Sequence, residues 1–553
     1  MKLAACLMIA ASCLRAQEAP ATTCFVSGRV LNAANNEPVR RAHLTLRRKD
    51  NPAGGSGMSA AFVTTTDDHG RFAMKDIEPG KYDFSAKHAG FADTGYGARR
   101  PGRPGVTLSL DAGQQLTGVV FRLVPQAVIT GRVLDADGDP VQGVQVTTAR
   151  YRYEMGKRQL LPSGYAGTDD LGEYRLFGLA PGRYYLQATY RDLLSLQGIG
   201  VTSKPVQESY VPTYYPGVTD PSSATPLDLS AGTQLRGMDF TLTKVRAVNV
   251  RGHVIVPASA NRRVTTIMLA PREMAFWGSM RRLRGTDAQG SFEVAGVAPG
   301  SYTLTASVQD GQKTLFAYQH LEVGNSNIDD VTLSLTTGAE LPGQLRFEGQ
   351  PPASLNGIEV SLEEFEGYEF RMGPQPSAEM KDDGTFTLPS IAAELYRARV
   401  RGLPDGYYLK SVRLGDDELK DTGIDATHEL SGTLLVTVSS RAGLIEGVVQ
   451  NDKDQPVPGA SVVLVPEPKK RGRSDEFEHV TTDQYGRYIV KSIAPGDYKL
   501  FAFEDMEPGE YMDPEFLKPV EEQGVKIGIR EGSRENTDLK QIPAKPPAKS
   551  GAK

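Results

Sequence analysis

The sequence predicts an all-β protein made of five tandem β-sandwich modules, and three observations carry that prediction. The 58 Gly and 36 Pro in this chain are more than helix interiors tolerate, and they suit many short strands joined by turns. At 553 residues the chain also exceeds the size at which single hydrophobic cores stop growing, so several domains are required. The third observation is a pattern that recurs five times along the chain and divides it into pieces of sandwich length.

Each copy opens on a strand with a central glycine: Val26-Ser27-Gly28-Arg29-Val30, Ile129-Thr130-Gly131-Arg132-Val133, Val250-Arg251-Gly252-His253-Val254, Leu341-Pro342-Gly343-Gln344-Leu345 and Ile445-Glu446-Gly447-Val448-Val449. In the first, second and fifth copies a turn and a proline follow, as in Asp137-Gly138-Asp139-Pro140 and Asp454-Gln455-Pro456. An alternating stretch comes next, such as Val144-Gln145-Val146-Thr147 or Ala460-Ser461-Val462-Val463-Leu464. Its period of two predicts a strand with one buried and one wet face.

A second turn holds the most regular signature. Gly70, Gly172, Gly290, Gly384 and Gly486 each follow an Asp closely, and each has an aromatic two residues on: Phe72, Tyr174, Phe292, Phe386 and Tyr488. Twelve residues after each glycine stands a tyrosine: Tyr82, Tyr184, Tyr302, Tyr396 and Tyr498. Asp-x-x-Gly suits a tight turn, because the carboxylate binds amides ahead of it and glycine takes positive φ without a clash. The aromatic then starts an inward-facing strand, and the tyrosine anchors the next one with its hydroxyl at the module edge. Four copies place a Pro-Gly corner before the tyrosine; the fourth has Ala393-Glu394, which predicts a different corner there.

The opening glycines stand 103, 121, 91 and 104 residues apart, so each copy is a domain rather than a solenoid rung. The predicted modules are 24–125, 126–245, 246–337, 338–440 (divergent) and 441–541, with a Pro/Ala/Lys-rich, disordered tail at 542–553. Two copies close on similar segments, 111–123 and 230–242, that run almost directly into the next module. Short linkers predict an elongated, semi-rigid array, about 150 Å long if five domains of this size stack end to end.

Residues 1–16 read as a signal peptide: Lys2 supplies the charge, Leu3 to Leu14 the apolar stretch, and Leu14-Arg15-Ala16 a cleavage site. The expected location is outside the cytoplasm: periplasmic, outer-surface or secreted. No later stretch is long enough for a membrane span. Leu3-Ala4-Ala5-Cys6 and Ala10-Ala11-Ser12-Cys13 have the letters of a lipoprotein box, the second with the better placement. Cleavage would leave Cys24 as the single mature cysteine, so the modules must stand on packing rather than on disulfides. A formal charge of −5 with both signs interspersed leaves no electrostatic footprint for nucleic acid.

The string Gly-x-Val, Asp-x-x-Gly-x-Pro-Val-x-Gly-x-x-Val, Thr-Asp-x-x-Gly-x-Tyr and Leu/Ile-x-Pro-Gly-x-Tyr resembles the carboxypeptidase regulatory-like domain. The resemblance implies a seven-stranded sandwich of the transthyretin-like or Ig-like kind, akin to carbohydrate-binding-like and Cna-B-type modules. Copies one, two and five match it well, copy three lacks the first turn, and copy four diverges. It implies no ligand residue, because the motif consists of turn and core positions.

No catalytic constellation is apparent. None of the seven histidines has an acid three positions on or a second His four on, as a zinc peptidase helix requires. There is no Gly-x-Ser-x-Gly elbow and no phosphate-loop lysine motif. Neither a catalytic residue, a metal ligand nor a cofactor is predicted. Turns such as Thr66-Asp67-Asp68-His69-Gly70 and Thr168-Asp169-Asp170-Leu171-Gly172 offer oxygens but lack the distal bidentate Glu of a calcium loop, and turn formation explains their Asp better. Arg29 and Arg132 stand where an isopeptide-forming lysine would be needed, which argues against Lys–Asn cross-links. The expected function is a non-enzymatic, exported scaffold or adhesion protein, with another envelope protein as partner. The alternative is polysaccharide binding through loop aromatics, for which Trp277, Tyr210, Tyr214 and Tyr215 are the candidates.

Overall fold

The computed structural model describes residues 23–49, 61–103, 105–154, 156–190, 208–257, 265–272, 281–284, 286–287, 289–310, 313–364 and 375–544. Trp277, residues 1–16 and residues 545–553 lie outside them, whereas Ile542, expected at the start of the disordered tail, is buried and bridges to Phe503 in the fifth module. Strands dominate throughout, and they enclose separate hydrophobic cores spanning Cys24–Leu123, Ala127–Leu242, Val248–Leu335, Leu341–Val438 and Ile445–Leu539.

The first module shows the shared plan. Its opening strand Cys24–Asn32 lies between Arg71–Ile77, antiparallel, and Gln115–Leu123, parallel. A second sheet pairs Ala61–Thr65 with His43–Arg48 and His43–Arg48 with Gly80–Lys87. The same antiparallel and parallel partners flank the opening strand in the other modules. The proline of the first turn bridges back to the opening strand in copies one, two and five, as Leu31 with Pro38, Leu134 with Pro140 and Gln450 with Pro456.

The parallel pairing explains the opening glycines. A Cβ at Gly28, Gly131, Gly252 or Gly447 would stand closer than 3.0 Å to the carbonyl oxygen of Val119, Met238, Val331 or Thr537. These backbones approach because the closing strand shifts register there; in the first copy Val26 pairs with Leu116 but Gly28 with Val119. Gly118 and Gly237 take up the extra residue at φ 77° and 71°, a bulge geometry that glycine adopts without strain. In the divergent fourth module a Cβ at Gly343 would meet the Phe386 ring instead.

The second-turn signature is equally physical. Phe72, Tyr174, Phe292, Phe386 and Tyr488 are buried, as are all five corner tyrosines. The hydroxyls of Tyr82, Tyr184, Tyr302 and Tyr498 donate to carbonyls four residues earlier, those of Glu78, Ala180, Ala298 and Ala494, at 2.6, 2.7, 3.0 and 2.9 Å. Each ring fills the core while its polar tip closes the corner it follows. In the fourth module Glu394 replaces the corner glycine, and its carboxylate accepts the Tyr318 hydroxyl of the third module.

Two expectations are corrected. The strand Ser461–Pro466 is buried on both faces, not one. Val462 and Leu464 face the sandwich core, while Val463 and Val465 join Phe501, Phe503 and Leu517 in a second core on the outer side. A short helical segment, with turns at Glu510–Met512, Pro514–Leu517 and Lys518–Gln523, accompanies this outer core. Leu517 is part of the core, and Tyr511, Phe516 and Val520 pack on it. The array is also not extended end to end, because the fifth module lies against the first. Thr107 bridges to Asp483 in parallel, and Gln484 accepts from the Ser109 amide at 2.9 Å and donates to the Ser109 carbonyl at 2.5 Å. Short linkers limit the orientations available to neighbours, but they do not make those orientations collinear.

Candidate functional site

The aromatics nominated as a sugar platform serve the second module's core. Tyr214 is fully buried on a short strand that pairs with Gly182–Tyr190. Tyr215 packs edge-on against Phe240 with ring centroids 6.0 Å apart, and Tyr210 packs on Tyr190 at 5.2 Å. Tyr214 therefore presents no stacking face to a polysaccharide, while Tyr210 and Tyr215 are half-buried. Tyr151 meets Tyr185 edge-on at 5.3 Å, with the Arg158 guanidinium 4.1 Å over its ring.

The acidic turns use their oxygens internally. Oδ1 of Asp67, Asp169, Asp287 and Asp483 accepts from the amides two and four residues ahead, at 2.6–3.0 Å. Amides holding the ionised form pull Asp67 and Asp287 below the usual carboxylate range. Among the described residues no three His, Cys, Asp or Glu side chains come together as a metal site. Replacing Asp169 with alanine, which orphans two turn amides, should cost about 1–2 kcal/mol. EDTA should leave the melting temperature of the unaltered chain unchanged. A calcium-dependent melt would restore the metal reading.

Cys24 is buried in the first core, and its thiol donates to the Asp111 carbonyl at 3.1 Å.

The most chemically distinctive place lies between the fourth and fifth modules. A cavity of about 270 Å³ opens there, with Lys420, Arg473, Glu476, Glu478, Tyr407 and Tyr498 in its walls. Arg473 is the hub. Its guanidinium binds Asp475 at 2.7 Å and Glu476 at 3.0 Å, and also pairs with Asp421 across the module boundary. Arg399 donates to Glu363 at 2.9 Å within the fourth module and to Ser474 at 3.0 Å in the fifth. Burial raises Asp475, but its bonds to Arg473 outweigh that and hold it below the usual range. Burial also lowers Lys420, against the opposing pull of Glu476, 3.9 Å from its ammonium.

Glu478 stands apart within this network. It starts the strand Glu478–Thr481, opposite Leu464, and burial alone pushes its carboxyl up to about 7. The adjacent His479 stacks on Tyr511 with centroids 5.6 Å apart. Burial, and secondarily Lys49 of the first module, pushes it down to about 4. The cavity can thus hold or release a proton near neutral pH and compensate charge. Sequence reasoning missed it because two modules contribute the residues at no fixed spacing. The nearest signal was the charged cluster Lys469-Lys470-Arg471-Gly472-Arg473-Ser474-Asp475-Glu476.

No helix among the described residues is long and apolar enough to cross a membrane. No curated protein matches the chain. Similar solved structures include the minor pilin GBS52 of Streptococcus agalactiae, 13% identical over 43% of this chain and 99% of that one, with a TM-score of 0.23. The Bacillus anthracis TIE protein is 11% identical over 76% of this chain and 75% of its own, with a TM-score of 0.16. The major pilin subunit BcpA of Bacillus cereus is 10% identical over 94% of this chain and 99% of its own, with a TM-score of 0.13. The carboxypeptidase regulatory-like family matches residues 26–124 and 128–213. With their shared parallel closure, aspartate turn and tyrosine corner, the first two sandwiches of this tandem array are similar to carboxypeptidase regulatory-like domains over those residues.

Proposed function

We propose that the chain is a non-enzymatic, exported scaffold that presents a fixed arrangement of sandwiches to another envelope protein. One observation carries this reading: what recurs from module to module is the chemistry of folding. Opening glycines admit a carbonyl, aspartates cap turns and tyrosines close corners. Cross-boundary ion pairs support rigidity, as in Lys410 on Glu531 at 2.8 Å and Lys491 on Asp405 at 2.6 Å. The leader-like first sixteen residues support export.

The test combines small-angle scattering with binding and turnover screens on the purified chain. The scaffold reading expects one rigid envelope and no turnover across a panel of peptidase, esterase and glycosidase substrates. Turnover abolished by a point substitution would make the protein an enzyme. Glycan binding that is lost in Trp277→Ala would replace the scaffold with a polysaccharide receptor.

A further inference from the structure

The contact between the first and fifth modules joins residues about four hundred positions apart. On the first module, Arg99, Arg100 and Arg103 line one loop; on the fifth, Glu504, Asp505 and Glu507 follow the strand Gly496–Phe503. Every one of these bases meets an acid across the contact. Arg99 meets Glu504 at 2.6 Å and Arg100 meets Asp505 at 3.3 Å. Arg103 forks onto Glu507 at 2.5 and 2.6 Å while its Nε reaches Asp505 at 3.0 Å. Arg103 and Asp505 are only 13% and 11% exposed, so these are partly desolvated, charge-assisted bonds rather than loose surface pairs. Gln114 adds a bond to the Tyr485 hydroxyl at 3.0 Å.

We propose that this contact is an exchangeable latch: the first module of one copy docks on the fifth module of a second copy through the same residues, turning the closed monomer into a two-chain ring. No peptide bond links the two surfaces directly; three modules lie between them. Nothing in the contact itself requires that both halves belong to one molecule. A basic loop alone would accept many anions. Here the complementary acidic partner stands on the same chain, so a second copy presents it in the same geometry. Reciprocal exchange satisfies both latches around a two-fold axis and leaves none open. Tethering favours the closed monomer, because closure within the chain is intramolecular and does not depend on concentration. Exchange therefore dominates when closure within the chain is disabled.

Charge reversal tests this with two full-length variants. Arg103→Glu places an acid against the intact acidic surface, and Asp505→Asn/Glu507→Arg places a base against the intact basic loop. Each variant alone should be a monomer with a larger radius of gyration than the parent. Mixed in equal amounts, they restore opposite charges only between chains, and a species of twice the chain mass should form by light scattering and dissolve at high salt. All three substitutions in one chain should restore the compact monomer, which separates an opened latch from a misfolded module. The proposal fails if the single variants stay as compact as the parent, or if the mixture stays monomeric up to about 0.1 mM.

Discussion

Alanine in place of Gly28 is expected to unfold the first module while the rest of the chain stays folded. The added Cβ meets the Val119 carbonyl oxygen and carbon, both closer than 3.0 Å. That backbone cannot retreat freely, since Val119 to Leu123 pair in parallel with Gly28 to Asn32, and Val119, Phe121 and Leu123 are buried. Relief requires sliding the closing strand off the core, which combines overpacking with lost ladder bonds and should cost about 4 kcal/mol or more. Gly447→Ala should do the same to the fifth module through Thr537. Gly343→Ala should be milder, because it meets the tip of the Phe386 ring rather than backbone. Gly138→Ala controls for conformation alone: φ is 88° and nothing lies within 4 Å of its Cβ, so only about 1–2 kcal/mol of left-handed strain applies. Hydrogen exchange resolved by module reads the outcome. Unchanged protection in residues 24–123 of Gly28→Ala would sink the account.

The glycine was legible in sequence because a close approach, of backbone in four copies and of the Phe386 ring in the fourth module, leaves no room for a Cβ, so it recurs at one place in every copy. The corner tyrosines and aspartate turns were legible for the same reason. Thr66, Thr168 and Thr482 were visible as letters of the motif, yet their role is three-dimensional. Each hydroxyl accepts from one buried amide and donates to a buried carbonyl, as Thr168 does between Val144 and Val141 at 2.9 and 2.8 Å. Tyr214 was misplaced because a proline-bounded stretch reads as an exposed loop, whereas Thr213–Tyr214 adds to the sheet and turns its ring inward. The strand through Val462 to Val465 was misread as one-sided, although an unbroken apolar run of that kind fits burial on both faces. What covers that second face depends on a segment some fifty residues later. The latch and the Glu478 cavity were illegible for a further reason: tertiary docking of modules creates them, and no periodicity within a module encodes which surfaces meet.

The Glu478 carboxyl should make stability fall as pH rises toward neutrality, and Glu478→Gln should remove that fall. Its folded pKa, raised by burial from 4.5 to about 7, means that the native state binds more protons than the unfolded state between those values. Stability therefore decreases with rising pH across that window and carries the full penalty above pH 7. The shift corresponds to at most about 3 kcal/mol. His479 acts with the opposite sign: held near 4 rather than 6.5, it makes the folded state gain stability as pH rises between those values. The two nearly cancel in the parent between pH 4.5 and 6.5, so a flat melting profile there would hide both. The difference between Glu478→Gln and the parent isolates the carboxyl. The variant should match the parent near pH 4.5 and exceed it by about 1–3 kcal/mol at pH 8. A gain of equal size at both pH values would mean that the glutamine merely packs better. No gain at pH 8 would mean that Lys420 or Arg473, in the walls of the same cavity, already neutralises the carboxylate in solution.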